Sequence, residues 1–157
     1  MRHNKKVLPG GLPDSIEEVL RDFFAGRAEV LLAYMFGSYL AKPTRRFHDI
    51  DIAVLVLPER VEALHQSTPY GYEAYMISEL AHLLKYSSID LVVLNNGSPL
   101  LQRQVITKGK LLFGRSESER IRFETFALQR YADTAHLRKI KRLYMKKRIK
   151  KGLDAYV

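Results

Sequence analysis

Two apolar runs joined by a polar turn limit what this chain can become. Val30 to Phe36 is apolar throughout and ends on Gly37-Ser38, and ten residues further on Asp49 and Asp51 open a second run holding Ile50, Ile52, Val54, Leu55, Val56 and Leu57. Runs apolar at nearly every position read as strands buried on both faces. Alternation along a strand turns Asp49 and Asp51 to one face and Ile50 and Ile52 to the other. Two like charges at the mouth of a buried strand repel by about 3 kcal/mol, for an effective dielectric of about 20 and a separation of roughly 5 Å. A divalent cation is the usual remedy, because Mg²⁺ prefers carboxylate oxygens and waters and shares them with substrate phosphates. Gly37 lets the backbone turn sharply and a phosphate approach closely. Ser38, in the first turn of a short helix ending near Pro43, offers a hydroxyl and free N–H groups to an anion. Arg45 and Arg46 on the following loop add positive charge. The combination points to phosphate chemistry.

The remaining elements follow from periodicity and caps. Ile16, Val19, Leu20, Phe23 and Phe24 form one helical stripe that opens behind Asp14-Ser15 and stops at Gly26. Pro58 and Glu59 end the second strand, and residues 60–69 suggest a short helix followed by a loop. Tyr72, Tyr75, Met76, Leu80, Leu83 and Leu84 predict a helix over 70–86, whose tyrosines serve packing rather than base stacking. A third strand over 89–94 contains Asp90, which is costly to bury without a partner; an edge position would let it reach water or an arginine. Ser98-Pro99 caps a helix running to about Thr107. A short strand over 110–113 follows. Ser116 and Glu119 have capping-box spacing, and one long helix is expected over 117–150.

Composition places the charge. The chain has 157 residues and no cysteine, which excludes disulfides and thiolate metal sites and is compatible with a reducing cytosol. This length suits a single domain, 1–157, burying about two-thirds of its unfolded surface. No apolar run is long enough for a signal peptide or membrane span, so a cytoplasmic protein without membrane contact is expected. Residues 1–115 carry 14 Lys or Arg against 12 Asp or Glu, whereas residues 116–157 carry 12 against 5. The basic character therefore belongs to the tail, where nine cations lie between Arg138 and Lys151. Such a stretch suits a solvated face, a docking surface for an acidic protein, or sequence-independent RNA contact. No histidine pair has convincing zinc-ligand spacing.

Gly-Ser-x10-Asp-x-Asp between two strands resembles the signature of the polymerase-β-like nucleotidyltransferases. With the small size, the Ile-Asp-Leu-Val-Val-Leu strand and the long C-terminal helix, the chain is similar to MNT-type antitoxins of HEPN/MNT toxin–antitoxin pairs. The resemblance implies an α+β fold: a small mixed β-sheet with packed helices and, over 117–150, a basic C-terminal helix. It implies transfer of AMP from ATP, with Mg²⁺, onto a tyrosine of a partner HEPN ribonuclease. Gly37 and Ser38, with Arg45 and Arg46, would hold the nucleotide, and Asp49, Asp51 and Asp90 would bind metal. As third carboxylate, Asp90 could also accept the proton of the attacking hydroxyl. The chain departs from the usual pattern at Ala41, Lys42 and His48. The alternatives are an antitoxin that masks its toxin sterically without catalysis, and a nucleotidyltransferase acting on a small molecule or a tRNA.

Overall fold

In a computed structural model, residues 16–41 and 49–154 are described. Four strands form one mixed sheet: β1 (Val30–Phe36), β2 (Ile50–Val56), β3 (Ile89–Val93) and β4 (Lys110–Gly114), in the order β3-β2-β1-β4. β1 runs antiparallel to both β2 and β4, and β2 runs parallel to β3. A parallel pair needs a long crossover. Here a 3₁₀ turn (Pro58–Arg60) and two helices, Val61–Ser67 and Tyr72–Leu84, supply it. The apolar runs at 30–36 and 50–57 thus form the two central strands, as their composition predicts.

Helices cover both faces of the sheet. We number them α1 (Ile16–Ala25), α2 (Ser38–Ala41), α3 (Val61–Ser67), α4 (Tyr72–Leu84), α5 (Pro99–Lys108), α6 (Glu117–Asp133) and α7 (Ala135–Asp154). On one face Ile16, Leu20 and Phe24 of α1 and Tyr72, Met76, Leu80 and Leu84 of α4 pack on Ile50, Ile52, Val54, Leu91 and Val93. On the other, Val105 of α5 and Phe123 and Ala127 of α6 pack on Leu32, Tyr34 and Ala53. Ile50 and Ile52 face the α1/α4 layer, so alternation turns Asp51 toward the α5/α6 side. Tyr72 is core, its hydroxyl donating to Glu29 at 3.1 Å, and Tyr75 sits at the rim beneath Arg27.

Side chains finish what the backbone leaves open. The Ser98 hydroxyl accepts the Leu101 N–H at the start of α5, and Asn95 pairs through its amide with both the N–H and the C=O of Val56, prolonging the ladder beyond β3. At α6 only half of the expected capping box forms. Ser116 Oγ accepts the Glu119 N–H, while the Glu119 carboxylate pairs with Arg122 at 2.7 Å.

The single long helix expected over 117–150 is two helices meeting at Thr134. Its hydroxyl donates back to the carbonyls of Arg130 and Tyr131, at 2.8 and 3.2 Å, and accepts from Arg138. Back-bonding of this kind competes with the helical ladder and bends it. The Arg138 guanidinium then settles 3.5 Å from the Tyr131 ring centre, fixing the junction. Apolar periodicity continues through Thr134, so hydropathy alone does not reveal the break.

Candidate active site

The two acids on neighbouring strands are brought side by side. β2 and β3 pair in a register that sets Ile50 opposite Ile89 and Asp51 opposite Asp90. Parallel strands lie about 4.8 Å apart, so residues in register on one face are immediate neighbours. Asp49 stands two residues upstream, just before β2, close enough for its charge to act on Asp51. Asp49 and Asp90 are exposed and Asp51 is half-buried.

The turn after β1 closes over this row. Phe36 lies opposite Asp51 in the β1–β2 pairing, so Gly37 arrives directly above that carboxylate. Its φ is +79°, a region that favours glycine. A Cβ at position 37 would stand 1.8 Å from Asp51 Oδ2 and 2.7 Å from its Cγ, well inside van der Waals contact. The glycine that the sequence assigns to phosphate approach is therefore already required for the approach of Asp51.

Ser38 is also partly committed. Its main-chain N–H lies close enough to Asp51 to favour the ionised carboxylate. Its hydroxyl side is exposed at the start of α2, whose Tyr39 and Leu40 pack onto the α1/α4 core.

Electrostatics follow from the crowding. Burial raises the Asp51 pKa above the usual carboxylate value, and the charges of Asp90 and then Asp49 push it further the same way. The Ser38 amide opposes them. A carboxylate whose ionisation is opposed by burial and by neighbouring charge is relieved by a cation. Among the described residues, no three His, Cys, Asp or Glu side chains enclose a point able to hold a metal ion. The donors nevertheless fit Mg²⁺, which takes one or two carboxylates and completes its shell with waters and substrate phosphates rather than with an all-protein cage. Asp51 and Asp90 supply the hard oxygens, and Asp49 stands beside them.

Arg45 and Arg46, expected to add charge for the nucleotide, lie outside the described residues, as do Lys42 and His48. A cation that sequence reasoning passed over is Lys110. It pairs in register with Met35, next to the Phe36–Asp51 row, and its Nζ bonds Glu17 of α1 at 2.6 and 2.7 Å. Only the order of the strands shows that it belongs to this end of the sheet. No helix of the described residues is long and apolar enough to cross a membrane.

Residues 18–118 match the polymerase beta nucleotidyltransferase family. The protein adenylyltransferase MntA of Shewanella oneidensis is 32% identical over 124 residues, which span 79% of this chain and 78% of that protein. A chain of a toxin–antitoxin crystal structure containing AMP-PNP superposes with a TM-score of 0.59 at 28% identity, covering 87% of this chain and 97% of that one. A chain from the complex of a tri-AMPylated Shewanella oneidensis HEPN toxin with MNT antitoxin superposes with a TM-score of 0.55 at 27% identity, covering 87% and 94%. With a family match over more than half of its length and a relative 32% identical, this chain belongs to the polymerase beta nucleotidyltransferase family.

Proposed function

We propose that this chain is an Mg²⁺-dependent antitoxin that transfers AMP from ATP to a tyrosine of a partner HEPN ribonuclease and so silences it. The observation that carries the reading is the Asp51–Asp90 pair held in register beneath the Gly37 turn. The relatives support it: one is named a protein adenylyltransferase, and another is an MNT antitoxin bound to an AMPylated toxin.

The reaction joins the tyrosine oxygen to the α-phosphorus of ATP as the bond to the β-phosphate oxygen breaks and pyrophosphate departs. Asp51 and Asp90, with Asp49 beside them, are the residues that would hold Mg²⁺, which when bound offsets charge on the phosphate oxygens. The Gly37-Ser38 turn presents the Ser38 hydroxyl to the triphosphate, with Arg45 and Arg46 as further contacts. The close approach of Gly37 confines the Asp51 carboxylate, so it is placed before substrate arrives. Asp90, exposed at the mouth, is the group we assign to take the tyrosine proton. Such an activity belongs in the cytoplasm, with ATP and the partner.

The test is incubation with α-labelled ATP, Mg²⁺ and the partner. Label should appear on the partner and vanish with Asp49→Asn and Asp51→Asn together. Equal labelling by that double variant would sink the assignment. If the unlabelled partner is still neutralised, steric masking is the function instead.

A further inference from the structure

Helix α7 has nothing in the described structure to justify its surface. From Lys139 to Lys151 every side chain is exposed, and Leu143, Tyr144, Met145 and Ile149 are each more than half accessible. Nine Lys or Arg and no Asp or Glu lie between Arg138 and Lys151. Arg138 and Arg142, Arg142 and Lys146, Lys146 and Lys150, and Lys147 and Lys151 are like charges one turn apart. Such pairs oppose the helix, and a helix without an apolar face to bury is marginal in water. What this segment lacks is counter-charge together with apolar cover.

We propose that α7 is the docking helix for the partner protein, and that the partner offers a groove with an apolar floor and an acidic rim. The inference rests on the function proposed above, whose acceptor it characterises. Cations alone would serve a nucleic acid, whose affinity comes from phosphate contacts. Here Ile140, Leu143, Tyr144, Met145 and Ile149 are interleaved with the cations, and a phosphate backbone cannot bury them. Tyr, Met and Arg are the residue types enriched at the buried centres of protein interfaces. Lys141, Lys147, Arg148 and Lys151 border Tyr144 and Met145 along one groove of the helix surface, so apolar and cationic groups face the same occupant. The exposed stretch is about 20 Å long, enough for a helix laid into a groove. α7 contributes nothing to the Asp51–Asp90 pair, so docking and chemistry separate.

Two full-length variants test this: one with Lys146→Glu, Lys147→Glu and Arg148→Glu, the other with Leu143→Ser and Tyr144→Ser. Neither disturbs the core, since all five side chains are exposed. Each should weaken partner affinity by about 10-fold or more and raise the KM for the partner. The kcat at saturating partner and the affinity for ATP should stay within about twofold of wild type. Partner affinity within about twofold of wild type in both variants overturns the helix assignment and leaves the proposed transfer intact. Equally contrary is loss of poly(U) binding, or of self-association, while the partner complex survives; those results assign α7 to RNA or to a second copy. Wild-type protein that neither binds nor labels the partner removes this inference and the proposed function together.

Discussion

The two charged regions of this molecule are built in opposite ways. At one end of the sheet, Asp49, Asp51 and Asp90 are crowded until burial and mutual repulsion raise the pKa of Asp51. On α7, eight cations from Lys139 to Lys151 are spread along a helix in full contact with water. Crowded charge under a fixed turn is poised for a small, multiply charged ligand, whereas dispersed charge on an unsupported helix suits a large surface. Position therefore tells more than number. The acids are few and constrained by register, whereas the bases beyond Arg138 are many and exposed.

That contrast can be broken, most severely at Asp51. Asp51→Asn should reduce AMP transfer by about 10³-fold, read by labelled ATP, since it removes a charged oxygen ligand we assign to Mg²⁺. The same change should stabilise the protein. A carboxyl whose pKa is raised on folding binds more protons in the native state than in the unfolded one, so its ionisation costs stability as pH rises through the folded value. At neutral pH without Mg²⁺, Asp51→Asn should raise Tm by about 1–3 °C, discounted because the group is partly exposed. A fall in Tm would mean the Ser38 bond outweighs the crowding.

Gly37→Ala comes next. The added methyl meets Asp51 and the backbone sits at φ +79°, so a loss of about 1–3 kcal/mol in stability and about 10²-fold in transfer is expected, by denaturant unfolding and labelling. A smaller effect sharpens the role of Asp49. In Asp49→Asn the acid limb of Mg²⁺ binding, followed by titration calorimetry, should move to lower pH but not return to that of an ordinary carboxylate, because burial and Asp90 remain. An unmoved limb would place Asp49 outside the group. The smallest change is Thr134→Ala, which removes the back-bond at the α6–α7 junction and should alter stability by less than about 0.5 kcal/mol without touching transfer.

Much of this was legible in the chain. Val30–Phe36 and Ile50–Val56 became central strands because continuous apolar runs have no other home, and the Gly-Ser-x10-Asp-x-Asp spacing marked two segments that the sheet brings together. What stayed hidden is tertiary or local. Asp51 meets Gly37 only through the β1–β2 register, and Lys110 reaches the same end only through sheet order. The break at Thr134 depends on a hydroxyl bond that leaves apolar periodicity intact. The Asn95 amide that imitates a strand residue beside Val56 looks, in sequence, like any turn asparagine.

Gly37 and Asp51 compete for one volume, which ties their fates together during mutation. A methyl at 37 escapes its worst clash only after the residue at 51 has been cut back, and that truncation removes the carboxylate we assign to Mg²⁺. Stability lost in Gly37→Ala should thus be partly restored by adding Asp51→Ala, while transfer stays absent. Drift at either site leads downhill in activity, with no neutral intermediate between them.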